Sequence, residues 1–231
     1  MNRLFFLPFA VAILVGCGDK SAASNSPTSS SDTNAPAESQ KALEVPADLK
    51  TDAFEYYGLG RTEPMKLAIK QSGQADKVGT QTFKLVKVEN GVAEYNLESS
   101  DELVGLDTAS FKVEKEGIRA ASNATISSDQ STWELPAGLT PGKTWEIKTT
   151  KDSVMQMTGT NKVVGTQEVK TPVATYKDAL LITVNASGSQ GGRSFKLNSK
   201  LWLVKGRGTV KTEIESIEGK TTNKIVMEEV K

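Results

Sequence analysis

One thiol exists in the chain, that of Cys17, and it directly follows Leu14-Val15-Gly16 at the end of an apolar run. A thiol is an intrinsically strong nucleophile and can carry a covalent acyl or alkyl group. Other reactive chemistry is sparse. There is no histidine, which removes the commonest general base, the Ser-His and Cys-His nucleophile pairs, and the commonest metal ligand. With Cys17 modified, no thiol remains for a disulfide or a Cys/His zinc site. No D-x-[DN]-x-[DN]-G calcium loop and no S-x-x-K spacing occurs. The expectation is a chain with no catalytic residue, no cofactor and no metal.

The element that positions Cys17 is the N-terminal segment. Arg3 and the amino group precede an apolar stretch from Leu4 to Val15, interrupted by Pro8. Its twelve residues fall short of the ~20 that span a bilayer as a helix. They suit the h-region of a secretory signal. Leu14-Val15-Gly16-Cys17 resembles the lipobox of bacterial lipoproteins: an aliphatic residue, a small or aliphatic residue, Gly or Ala, then Cys. The resemblance implies a signal peptide over residues 1–16, cleavage before Cys17, and diacylglyceryl and further acyl chains on Cys17. Each buried CH₂ adds about 0.8 kcal/mol, and stable anchoring takes two chains. Gly18, rather than Asp, follows the cysteine. In a lipoprotein of a two-membrane cell this favours the outer membrane, facing the periplasm.

Three other groups of residues invite a chemical reading. Gly138-Leu139-Thr140-Pro141-Gly142-Lys143-Thr144 is close to a phosphate-binding loop, but it has three residues between its glycines where the motif needs four. A strand pattern follows instead of a helix, so a Pro-Gly turn is the better reading. Glu213, Glu215 and Glu218 could act as acids or bases, and their spacing equally fits the wet side of a strand and turn. Trp133, Trp145 and Trp202 could line a cleft, though packing is the ordinary role.

Beyond the signal, 27 basic residues face 28 acidic ones. This balance gives no electrostatic reason to expect nucleic acid as a partner. Residues 17–46 are crowded with Ser, Ala, Thr, Asn and Pro and nearly free of large apolar side chains. Such a segment cannot offset its ordering entropy. It is expected to be a disordered tether with a span of roughly 30 Å.

Residues 47–231 are expected to form a mainly β domain, an antiparallel curved sheet or half-barrel with one short N-terminal helix. The helix is placed near Ala47–Tyr57, ending at Gly58. A hairpin joins Thr82–Val88 to Val92–Glu98 around Asn90-Gly91, a pair that favours a type I′ turn. A second joins Phe111–Lys115 to Ile118–Ala121. Trp145, Ile147 and Thr149 alternate, and Ala179–Val184 reads as a strand covered on both faces. Along Ser194–Val204, Phe195, Leu197, Ser199, Leu201 and Leu203 share one face. The same alternation is expected to resume at Val210, Thr212 and Ile214 after Gly206-Arg207-Gly208, with a last hairpin at Glu218-Gly219. Val78-Gly79-Thr80-Gln81 recurs as Val164-Gly165-Thr166-Gln167, so either one domain or two related units, about 47–130 and 131–231, would fit.

The stretch from Leu135 to about Ser216 resembles the TapB-like class of bacterial secreted and lipoprotein β-domains. The matching residues are Gly142 and Trp145, then Val169, Pro172, Tyr176 and Leu180–Val184, then Trp202 and Gly206–Lys211. Val173-Ala174 departs from the glycine that usually follows the proline. The resemblance implies a curved antiparallel sheet and brings no catalytic residues. The anchor and curved sheet are also similar in architecture to the LolA/LolB-type half-barrels of lipoprotein carriers.

These readings converge on a non-enzymatic lipoprotein of the cell envelope, attached to the membrane through Cys17. Its β-domain is expected to bind a hydrophobic ligand or an envelope component. Phe195, Leu197, Leu201 and Leu203 are the candidate apolar ligand face. The alternative is a structural or protein-interaction module with no small ligand.

Overall fold

In a computed structural model of the chain, residues 43–103, 109–122, 132–151 and 155–231 are described. The signal, Cys17 and nearly all of the tether lie outside them. Asn90 and Gly91, at φ 51° and 75°, supply the two left-handed residues of a type I′ turn. They join β2 (Lys77–Glu89) to β3 (Val92–Ser99). Ala93, Tyr95 and Leu97 face inward from β3 as the alternation demands. β4 (Ala109–Glu114), β5 (Gly117–Ser122) and β6 (Thr132–Pro136) continue this meander, which begins with β1 (Met65–Gln71).

The second meander has longer strands. They are β7 (Thr144–Lys151), β8 (Met155–Lys170), β9 (Thr175–Gln190), β10 (Arg193–Val204), β11 (Gly208–Glu218) and β12 (Thr221–Glu229). Pairing of β1 with β12 merges the two meanders into one antiparallel sheet of twelve strands among the described residues. β6 and β7 stand at its two ends and curl towards each other, giving a nearly closed barrel with a seam that carries no ladder pairing.

The interior is filled by the segment before β1. Ala47–Leu49 forms a 3-10 turn and Asp52–Tyr57 forms α1, so the expected helix is broken at Lys50 and Thr51. The Thr51 side chain accepts the Phe54 N–H, and Gly58 ends the helix in the left-handed region at φ 78°. A Cβ on Gly58 would lie 2.7 Å from the Arg207 backbone, so close approach demands glycine there as well. Val45 is also buried in the core, so packing starts two residues before the expected boundary at residue 47. From α1, Phe54 and Tyr57 meet Phe83, Tyr95 and Phe111, with ring centroids 5.3–6.3 Å apart.

Ala179–Val184 is covered on both faces, as its unbroken apolar run implies. Leu180, Ile182 and Val184 join the main core. Ala179 and Leu181 join a smaller cluster on the other side with Val169, Trp202 and Val210. That cluster corrects one expected alternation. A register shift where Trp202 and Leu203 face β11 puts Val210 in the outer cluster. Thr212, opposite Leu201, stays on the inner row. The bulge inserts one residue and so switches the face. The recurring Val-Gly-Thr-Gln segments adopt different backbones. Gly79 lies in regular β1–β2 pairing beneath Leu103, whereas Gly165, at φ 137°, follows a register shift.

Candidate functional site

Cys17 and the signal residues Leu14, Val15 and Gly16 lie outside the described residues; the other residues singled out from sequence lie among them. Phe195, Leu197, Leu201 and Leu203 are all buried and belong to the main core. The Phe195 ring lies against the backbone of Gly188, where a Cβ would come within 2.7 Å of it. Leu201 borders an interior cavity of about 40 Å³, and Phe195 lines one edge of a larger hollow of about 650 Å³.

The near-phosphate loop, residues 138–144, joins β6 to β7. Its Gly138 and Leu139 N–H groups donate to the Asp52 carboxylate at 2.8 and 2.6 Å. The anion that this turn holds is therefore the chain's own, and the contact pins α1 to the barrel rim. Glu213, Glu215 and Glu218 sit on β11 with Lys211, Lys224 and Arg193 at 2.8, 3.5 and 3.5 Å. Exposed pairs of this kind are a solvated strand face. The three tryptophans do not share a cleft. Trp145 is in the main core, Trp202 is in the outer cluster, and Trp133 lies under the Arg119 guanidinium at 3.6 Å.

Sequence reasoning passed over three polar features. The first is a depression on the outer face of the second meander. Two adjoining hollows, about 650 and 550 Å³, share Thr158, Ser187 and Lys196. Strand register generates the floor. Lys148, Thr158, Ser187 and Lys196 stand side by side across β7 to β10. One step along, Glu146, Thr160, Asn185 and Asn198 form the next row. All eight side chains are exposed, and neighbours within a row stand one strand apart, ~4.8 Å. Period-two patterning in the sequence marks these residues as wet, but only the register makes them a surface.

The second feature is a pair formed by buried Tyr57 and half-buried Glu134. Tyr57 Oη donates to Glu134 Oε1 at 3.2 Å. Burial pushes the Glu134 carboxyl up to about 7, and the bond from Tyr57 opposes that rise. Burial, then the Glu134 charge, drives the Tyr57 hydroxyl well above its ordinary value.

The third feature is a set of buried polar atoms that lack partners. Among the described residues these are Trp145 Nε1, both amide atoms of Asn161, Ser199 Oγ and Thr212 Oγ1. Trp145 and Asn161 are direct cross-strand neighbours. Near Thr212, Arg61 donates from Nε to the Glu63 carbonyl at 2.8 Å and from Nη2 to the Gln81 carbonyl at 3.3 Å. Its Nη1 bonds the Arg207 carbonyl. The Glu229 carboxylate is held by Arg207 and by the Tyr176 hydroxyl, the latter at 2.7 Å.

No protein-family model matches the chain, and no curated protein is significantly similar to it. The TapB-like resemblance thus rests on the quoted residues, of which Val169, Trp202 and Val210 meet in the outer cluster and Tyr176 packs against it. Three solved structures are similar in shape. An inferred lipoprotein from Parabacteroides distasonis is 10% identical, with a TM-score of 0.46, over 72% of this chain and 92% of the other. An inferred exported protein with a YmcC-like fold from Bacteroides fragilis is 8% identical, TM-score 0.39, over 72% and 92%. The inferred lipoprotein YmcC of Escherichia coli is 9% identical, TM-score 0.38, over 78% and 90%.

Proposed function

We propose that this chain is a non-enzymatic lipoprotein of the cell envelope, anchored through Cys17, whose barrel holds an envelope glycan in the polar depression across β7–β10. The depression carries the reading. Its rows of hydroxyl and amide side chains, with Lys196 among them, can both donate to and accept from sugar hydroxyls, while Met157, Phe195 and Ile217 at one end present carbon. A sheet presents such groups at fixed spacing, so little side-chain ordering is needed on binding. The apolar face, by contrast, is buried in the main core. The non-enzymatic part rests on the chain's chemistry, without histidine and with a single cysteine.

The experiment fractionates cells producing the full-length chain, Cys17→Ser and Asn185→Trp. The unaltered protein should sediment with both membranes and insoluble wall glycan. Cys17→Ser should leave the membrane fraction. Asn185→Trp, which fills the depression from an exposed position, should stay with membranes and lose about tenfold in glycan affinity, or 1.4 kcal/mol. Undiminished glycan binding by Asn185→Trp would sink the reading. Recovery of one stoichiometric protein in place of glycan would favour the interaction module. A lipid mass retained in native mass spectrometry would favour a carrier from which α1 is displaced.

A further inference from the structure

We propose that the cavity beneath α1 is a binding site for a small, weakly hydrated monovalent anion, held by Arg61 and Thr212. Its volume is about 40 Å³, and ~10–15 Å³ of such space already admits a water. Two donors in its wall are unspent. A guanidinium has five N–H groups, and Arg61 spends three of them on the carbonyls of Glu63, Arg207 and Gln81. One N–H on each of Nη1 and Nη2 is left. Thr212 Oγ1, on a side chain that is 2% exposed, has no partner at all. A buried hydroxyl left unpaired costs about 1–3 kcal/mol, so an acceptor in the cavity would relieve it.

The charge around the cavity selects the sign of that acceptor. Arg61 meets only backbone carbonyls, which are neutral. Glu229 is the nearby carboxylate, and both its oxygens are engaged by Arg207, one of them also by Tyr176. Two guanidiniums thus face one carboxylate. Burial, then the Arg207 charge, lowers the Arg61 pKa, with Glu229 acting against them. An anion at the unspent N–H groups would form charge-assisted bonds, roughly twice as strong as neutral ones. Size and hydration come from the remaining wall. Phe83, Leu97, Leu201 and Met227 line it with carbon, which disfavours a strongly hydrated or multiply charged ion. Halide-sized anions meet all of these conditions. The inference is independent of the glycan reading, since the outer depression is lined by different residues.

Bromide is the probe. Thermal and denaturant unfolding of the full-length protein are measured across bromide concentrations. Ionic strength is held with gluconate, which is too large for the cavity. Once bromide exceeds its Kd, each tenfold increase should raise the folded-to-unfolded ratio about tenfold. Thr212→Val keeps the shape and removes the donor, so its ratio should be insensitive to bromide. Arg61→Gln should behave likewise if it folds. Crystals soaked in bromide should show an anomalous peak between Arg61 and Thr212. An equal bromide response in Thr212→Val, or a cavity holding only water in the soaked crystal, would overturn the proposal.

Discussion

The two meanders of this barrel solve the same packing problem differently. The first, with α1, fills its interior with rings: Phe54, Tyr57, Phe83, Tyr95 and Phe111 form edge-on and tilted contacts. The second fills its interior mainly with aliphatic side chains, adds Trp145 and Phe195, and intersperses polar ones. Every buried side-chain group without a partner among the described residues, on Trp145, Asn161, Ser199 and Thr212, belongs to β7–β12. The outer depression lies on that same half. Aromatic pairs add about 0.5–1.5 kcal/mol beyond the area they bury, whereas unpaired polar groups cost stability. The division teaches that both halves share one core, while the paired rings gather in the first and the unpaired polar groups and the depression in the second.

The sharpest way to break this comparison is to empty the aromatic layer. Phe111, 2% exposed, contacts both Tyr57 and Phe83. Phe111→Ala should cost about 3–5 kcal/mol, as core Phe truncations do. A loss below ~1 kcal/mol in denaturant unfolding would show that the rings are not the keystone of the first half.

A smaller effect concerns Glu134, the carboxyl that β6 sets against this layer. Its folded pKa of about 7 lies above the ordinary carboxylate value. The folded state therefore holds a proton that the unfolded state has lost. The stability so gained is complete below the unfolded pKa and disappears as pH rises through about 7. Glu134→Gln still accepts from Tyr57 but cannot ionise. It should flatten the profile between pH 5 and 8 and leave the protein about 2–3 kcal/mol more stable than the parent at the upper end. Parallel profiles for the two proteins would contradict the assignment.

The smallest expected effect is a gain. Asn161 is fully buried with its whole amide unpartnered, so Asn161→Leu should stabilise the second half by about 1–2 kcal/mol. A loss of similar size would mean that Asn161 has a partner in solution, such as a bound water, and that the contrast between the halves is weaker.

How much of this was readable in advance follows from the range of each determinant. Asn90-Gly91 and Glu218-Gly219 announce hairpins because a turn is a local event, and both hairpins form. Ala179–Val184 reveals two-sided burial by composition alone. Strand β1 is not legible: nothing next to it in sequence marks Met65–Gln71, and its closing partner, β12, lies far along the chain. Bulges likewise have no one-residue signature, so alternation alone puts Val210 and Thr212 on one face. The Arg61–Thr212 cavity draws on α1, β1, β2, β3, β10, β11 and β12, and no spacing in the sequence encodes such a meeting. Cys17 is the opposite case, since its reading needs only the four residues that end in it.

The β1–β12 pairing has a consequence for the order in which the sheet can assemble. Every other ladder joins strands adjacent in sequence, while this one joins the first strand to the last. Each meander can zip locally as it emerges, but the two sheets stay separate until Thr221–Glu229 has arrived. A chain interrupted within the second meander is two open sheets with exposed edges, not a shortened barrel. Completion of the barrel thus waits on β12.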